Sequence, residues 1–345
     1  MPLAQAGGSA SVPERMSALT ATSPAAVGAE GPPSTVSSMQ LPTVAILLST
    51  FNGERYLHDQ LASFTAQTHT NWYLYWRDDG SSDGTLKRVT SFAARAGAGR
   101  CISHPETARL RATGSFLALL HTALQGPAEY FAFADQDDVW HPDKLAHAVD
   151  ALRGLPPGHP GLYFCGRTLV DADLNPVGQV LAPIRPPGFP AALTQNLAPG
   201  CCMMLNRAAA SLIDEAPVPE GTWHDWWSYL VVASAGGTVI AGTTPDILYR
   251  QHDDNLVGEP RGFWHRTRGA ARRGRGPFMS VFWRHIDTLR SGAIPMPAAT
   301  HQTLDQIERA RRGSLLIRLT SLFLPGFVRQ TAAETLLFRI WFLLG

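Results

Sequence analysis

The chain has 345 residues, enough to bury the core of one large α/β domain with appendages. A formal net charge of +1 leaves no global electrostatic footprint for nucleic acid. Four cysteines, of which only Cys201 and Cys202 are close together, suit neither a disulfide scaffold nor a cysteine zinc site, and fit a reducing compartment.

Residues 1–41 are rich in Ala, Ser, Pro, Gly and Thr and almost free of large apolar side chains, so they read as a disordered leader. The basic start and apolar run of a signal peptide are absent, and no apolar stretch is long enough to span a bilayer. A cytoplasmic protein is expected. The apolar run at 44–49 is a buried strand that enters a polar loop at Thr50, Asn52 and Gly53. Leu57, Leu61 and Phe64 recur at helical spacing. A strand at 72–77, a helix at 82–95, a short strand at 101–103 and an apolar helix at 115–124 follow. Residues 130–134 are again a strand, and Pro142 opens a helix that runs to 152.

This alternation predicts a mainly parallel sheet covered on both faces, with its ligand site beyond the carboxyl ends of the strands. Thr50, Asp78, Asp79, Asp135, Asp137 and Asp138 would then gather on one rim. The second half is less regular. Strands are expected at 162–165, 168–170, 200–205, 238–240 and 247–249, with a turn at 173–176, a loop at 183–190 and helices at 207–214 and 223–233.

Several polar clusters carry chemistry. In Arg77-Asp78-Asp79-Gly80-Ser81-Ser82-Asp83-Gly84-Thr85, Asp83 caps the next helix. The adjacent Asp78 and Asp79 repel one another unless a partner such as a nucleobase N–H binds there. Asp135-Gln136-Asp137-Asp138 sets three carboxylates after the apolar Phe131-Ala132-Phe133-Ala134. Mg²⁺ or Mn²⁺ is commonly held by one or two carboxylates together with substrate phosphates. Helix capping ahead of Pro142 by Asp138 or His141 is compatible with that role. Asp225, within His224-Asp225-Trp226-Trp227, is either a helix cap or a general base against a hydrophobic wall. Arg250 has the chemistry to neutralise phosphate and His252 to ligate a metal, although a loop histidine more often has no such duty.

These segments, in order over residues 43–258, resemble the inverting family-2 glycosyltransferases, and among them the bacterial rhamnosyltransferase-like branch. Leu48-Ser49-Thr50-Phe51-Asn52-Gly53 is similar to the family's first-strand signature and Arg77 to Thr85 to its nucleotide-binding motif. Ala134 to Trp140 with Pro142, Asp143, Lys144 and Leu145 is similar to the branch's form of the metal motif. The resemblance implies a GT-A fold, a mixed and mainly parallel sheet flanked by helices, over residues 42–258. It implies that Asp79 binds the donor base beside Asp78, with Thr50 near the nucleotide. Asp135 and Asp137 would be the motif carboxylates, with Asp137 touching the metal. Gly200-Cys201-Cys202 would line the acceptor side, and Asp225 would be the catalytic base. Tyr249 to Asn255 with Gly258 is similar to a closing loop in which Arg250 and His252 serve diphosphate and metal.

The implied reaction is a single inverting transfer from a nucleotide sugar, dTDP-L-rhamnose by branch similarity, with Mg²⁺ or Mn²⁺. The acceptor would be a glycan or lipid-linked oligosaccharide of cell-surface polysaccharide or O-antigen synthesis. A UDP- or GDP-sugar is the nearest alternative, and a non-catalytic binding protein on the same fold is a more distant one. Ser115 stands where relatives commonly carry asparagine. The Gln-x-x-Arg-Trp motif of processive synthases is missing, which favours addition of one sugar.

Residues 259–345 form a basic loop and an amphipathic helical extension. Arg261, Arg266, Arg268, Arg272, Arg273 and Arg275 either make a solvated run or face anionic lipid. The apolar stretch at 336–342 packs on the domain, forms a homodimer interface or lies on the inner face of the membrane.

Overall fold

The computed structural model describes residues 41–96, 99–105, 108–252 and 274–344. The expected leader, apart from Leu41, lies outside them, as do Asp253, Asp254, Asn255, Gly258 and the arginines from Arg261 to Arg273.

Strands β1 (Val44–Thr50), β2 (Trp72–Asp78), β3 (Cys101–Ser103) and β4 (Tyr130–Ala134) alternate with helices α1 (Leu57–Thr65), α2 (Thr85–Ala96) and α3 (Arg111–Leu124). They pair in parallel in the order β3-β2-β1-β4. Val44 to Leu48 are fully buried, as the run of apolar residues requires for a strand covered on both faces. Each such side chain contributes roughly 1.5–3 kcal/mol of burial free energy. The register sets Thr50 opposite Asp78 and Leu48 opposite Ala134. Three polar loops therefore leave the sheet at the same end, where the chain order reverses beside β1.

α3 begins four residues earlier than its apolar periodicity indicates, at Arg111. Gly114 obscures the first turn in the sequence, yet a β-carbon there would lie 2.9 Å from the Leu110 Cβ, so a close approach needs the glycine.

The sheet then turns mixed. β5 (Val139–Trp140) precedes α4 (Lys144–Leu152), and β6 (Gly161–Val170) pairs with β7 (Pro176–Val180). After the short α5 (Ala191–Thr194), a 3-10 turn occupies Gly200–Cys202, and β8 (Met203–Asn206) runs antiparallel between β4 and β6. Helices α6 (Arg207–Glu215) and α7 (His224–Ser234) lead into β9 (Thr238–Arg250), which is parallel to β6 and antiparallel to β5.

Several expectations for this half are corrected. The two short strands expected at 162–165 and 168–170 are one, and those at 238–240 and 247–249 are also one. Gly242 and Pro245 break the apolar pattern, and the β6–β9 register shifts on either side of Gly166. Gly242 passes so close to the Tyr163 hydroxyl that a β-carbon would lie 2.2 Å from it. β7 escaped the sequence reading because Pro176, Gly178 and Gln179 disfavour strands, and pairing with β6 supplies what propensity lacks.

Among the described residues four helices follow, α8 (Arg275–Arg290), α9 (Ala298–Arg312), α10 (Leu315–Ser321) and α11 (Ala332–Leu344). Phe282 of α8 packs against Phe327, Phe338 and Phe342, all fully or almost fully buried. His285 of α8 meets the Thr222 hydroxyl at 2.7 Å, and its ring stacks on Trp227 of α7. The extension thus packs on the sheet and its helices through one continuous core. Among the described residues no helix is long and apolar enough to cross a membrane.

Candidate active site

At the carboxyl end of β2 the two adjacent aspartates part company. Asp78 Oδ1 accepts the Thr50 hydroxyl at 2.9 Å, and Oδ2 accepts the Ser81 N–H at 2.8 Å and that of Gly80 at 3.2 Å. It thereby shapes a turn in which Gly80 holds φ 89°, a conformation that costs glycine nothing. Ser81 in turn accepts the Asn52 N–H, and Asn52 accepts that of Ser82, so the loops after β1 and β2 are laced together.

Asp79 is buried. Its Oδ1 takes Leu110 N–H at 2.7 Å, Arg77 Nη1 at 3.0 Å and Ser115 Oγ at 3.2 Å, and its Oδ2 takes Arg111 N–H at 2.8 Å. The carboxylate thus caps the amino end of α3 from a distant loop, since Leu110 offers no side-chain cap. Oδ2 keeps further acceptor capacity. Arg77 was not anticipated as a site residue. It is fully buried, paired with Asp79 and bonded to Ser115 Oγ at 2.7 Å. Ser115, conspicuous in sequence as a departure from relatives, links the two. At the mouth of this loop the Arg109 guanidinium lies 4.3 Å over the exposed ring of Phe51.

The loop after β4 is locked to the loop after β1 by Gln136. Its amide accepts Phe51 N–H and donates to Phe51 C=O, each at 2.9 Å. Gly53 admits this contact, because a β-carbon there would collide with the Gln136 amide. Asp137 Oδ2 lies 2.9 Å from His252 Nε2, and the His252 ring packs on Tyr56 with centroids 4.7 Å apart. Asp138 is almost fully buried. Its Oδ1 accepts Arg250 N–H at 3.2 Å, and its Oδ2 has no hydrogen-bond partner. The capping role weighed for Asp138 and His141 is not what they do, because α4 starts one residue after Asp143.

Arg250 is buried and committed to the protein. It donates to Asp137 C=O at 2.9 Å, to Ala172 C=O at 2.5 Å and to Asp59 Oδ2 at 2.8 Å, and lies 4.5 Å over the Tyr56 ring. Without a donor, the side chain expected to serve phosphate acts as a clasp that holds the end of β9 to the acidic loop. Sequence periodicity carries no sign of this, since Asp59, Asp137 and Ala172 are remote from it along the chain.

Asp135, Asp138 and Cys201 offer ligand atoms that all lie within 4.8 Å of one another. Burial, then the charges of Asp137 and Asp225, push the Asp135 carboxyl up to about 8. Burial, then the charges of Asp137 and Asp135, push Asp138 well up too. Carboxylates held so close favour a cation, and the orphaned Asp138 Oδ2 is an acceptor in search of one. The residues present therefore fit a divalent ion.

Asp225 faces this cluster from the first turn of α7. Its Oδ1 accepts the Trp226 N–H at 2.6 Å, and its Oδ2 accepts the Gly200 N–H at 3.2 Å. Asp225 is the second residue of α7, whose cap position is Trp223, so it does not cap the helix as one of the two readings had it. His224 beside it is buried between Phe116, stacked at 4.1 Å, and Phe133, edge-on at 5.0 Å. Neither ring nitrogen has a hydrogen-bond partner, and burial depresses its pKa to about 4. Gly200 brings these groups together, because a β-carbon there would sit 2.5 Å from His224 Nε2.

A curled, mainly parallel sheet with helices on it and acidic loops at its carboxyl edge is the architecture of a GT-A-like nucleotide-sugar transferase. Residues 45–186 match the family described as Glycosyl transferase family 2, and this match supports a glycosyltransferase activity. The dTDP-rhamnosyl transferase RfbG of Shigella flexneri is 24% identical over 238 residues, covering 61% of this chain and 73% of that protein. The uncharacterized glycosyltransferase RT0329 of Rickettsia typhi is 28% identical over 130 residues, which is 38% of each chain. In three dimensions the fold is similar to that of S. aureus TarS 1-349 in complex with UDP-GlcNAc, with a TM-score of 0.50 and 14% identity over 87% of this chain and 90% of that one.

Proposed function

We propose that this protein transfers one sugar from a nucleoside-diphosphate donor to a hydroxyl of a glycan or lipid-linked glycan, with inversion and with the help of Mg²⁺ or Mn²⁺. The observation that carries this reading is that Asp225 accepts the N–H of Gly200, the neighbour of Cys201, whose thiol clusters with Asp135 and Asp138, so a proton acceptor stands beside a cation cluster.

Asp225 takes the proton of the acceptor hydroxyl as its oxygen attacks the anomeric carbon. The N–H groups of Gly200 and Trp226 aim its carboxylate, and the neutral His224 adds no competing charge. Asp135 and Asp138, whose ligand atoms cluster with that of Cys201, would hold the cation together with Asp137, which His252 backs, and the cation's chemistry when bound is to neutralise charge on the departing diphosphate. Thr50, Asp78 and Asp79 build the nucleotide side, with Asp79 Oδ2, which also faces Arg109 Nε at 3.9 Å, the acceptor for a base N–H. No protein nucleophile is needed, so the anomeric configuration inverts.

For the donor, dTDP-L-rhamnose has the support of the resemblance to RfbG, a dTDP-rhamnosyl transferase by name, at 24% identity. A UDP- or GDP-sugar serves the same loops equally well, since no residue described here selects one base or sugar. The decisive experiment offers the enzyme a panel of nucleotide sugars with Mn²⁺ beside the Asp225→Asn variant. Metal-dependent turnover of one donor, lost in the variant while donor binding persists, supports the reading and names the sugar. Absence of turnover and of donor binding, with lipid-linked acceptors supplied, overturns it in favour of a binding protein.

A further inference from the structure

The C-terminal helices bury one face and leave another uncovered. Half of all exposed large apolar side chains among the described residues fall between Leu315 and Leu344. Leu315, Leu316 and Phe323 stand out from α10 and its following turn, and Leu336, Ile340 and Leu344 from α11. Leu316 is 70% exposed and Phe323 74%. Isolated exposed leucines are ordinary, but a cluster of this kind marks a surface that is covered in use.

The two helices form one surface. The Arg339 guanidinium of α11 lies 5.2 Å over the Phe323 ring, and Arg318 of α10 donates to Leu343 C=O at 3.3 Å. Arg275 reaches the end of the same patch through Leu344 C=O at 2.9 Å. Residues 274–344 contain nine arginines and no lysine, against four carboxylates. Each carboxylate is already engaged. Asp287 pairs with Arg311, Asp305 with Arg290 and Glu308 with Arg312, while Glu334 accepts the Thr331 N–H at the start of α11. Exposed Arg309 and Arg312 lie at the end of α9, directly before α10.

We propose that this face docks on a bilayer carrying anionic headgroups, with the leucines and Phe323 inserted at the acyl boundary and the arginines at headgroup level. Arginine stems cover apolar surface while their heads stay among phosphates. Apolar burial and attraction to acidic lipid then act together. Charge argues for lipid over a second copy of this chain, since a twofold pairing would set arginines against arginines with no free carboxylate to answer them.

The test is co-sedimentation of the full chain with phosphatidylcholine vesicles, alone or with phosphatidylglycerol, beside Leu316→Ser/Phe323→Ser. Both side chains are largely exposed, so the variant should keep the wild-type circular dichroism. Binding to the phosphatidylglycerol vesicles, weak on phosphatidylcholine and reduced at least tenfold in the variant, is expected. Binding to neither vesicle overturns the proposal, as does equal binding of wild type and variant. A lipid-free dimer that the variant converts to monomer assigns the face to a second copy instead. Vesicle binding needs neither donor nor acceptor, so its failure leaves the transferase reading untouched.

Discussion

His252 Nε2 lies 2.9 Å from Asp137 Oδ2, joining the last residue described after β9 to the acidic loop after β4. On the proposed function, this histidine either ligates the same cation as Asp137 or orients that carboxylate. His252→Ala should therefore weaken Mn²⁺ binding about 10–100-fold. Titration calorimetry or the Mn²⁺ paramagnetic resonance signal, without donor, checks this. Unchanged affinity would leave His252 as packing for Tyr56.

Asp79 holds Arg77 as well as the start of α3. Asp79→Asn removes the negative charge and strands a buried guanidinium, so unfolding free energy should fall by roughly 3–5 kcal/mol. Urea unfolding of the donor-free protein measures this. A side chain that served only a nucleotide base would leave that midpoint where it was.

Gly200→Ala places a β-carbon 2.5 Å from His224 Nε2 and 3.5 Å from the Asp225 Cβ. The imidazole is clamped between two phenylalanines, so the strain should pass to Asp225. The expected result is a fall in kcat of about tenfold or more, with Mn²⁺ and donor affinity unchanged. Loss of donor binding in parallel would place Gly200 in the donor pocket instead.

His224 makes stability depend on pH. Its folded pKa, about 4, lies below the ordinary imidazole value of 6.5, so below pH 6.5 the unfolded chain takes up a proton that the native protein refuses. Stability is lost as pH falls from 6.5 towards 4, by up to roughly 3 kcal/mol. The raised Asp135 has the opposite slope, because its native form binds the extra proton and loses stability as pH rises towards 8. The comparison must therefore be with His224→Leu at each pH. Urea midpoints of wild type and variant should diverge as the buffer goes from pH 7 to 5, with the variant losing less. Parallel curves would mean that His224 is protonated in place.

Much of the first half was legible in sequence. The apolar runs of β1 and β4 and the helical spacing of Leu57, Leu61 and Phe64 announce their elements, because burial imposes those periods. Parallel alternation then forces the acid-bearing loops to one end, so the grouping of Thr50, Asp78, Asp79 and Asp135 follows from topology alone. Only the tertiary structure decided the partners. Asp79 caps a helix 31 residues away, Arg250 clasps Asp59 across 191, and Asp225 finds Gly200 across 25. Periodicity reports which face a residue buries and is silent on which distant donor meets its oxygen. That choice belongs to the antiparallel return of β8 and the long course of β9, where glycine and proline break the pattern and pairing with β6 holds the strand in place.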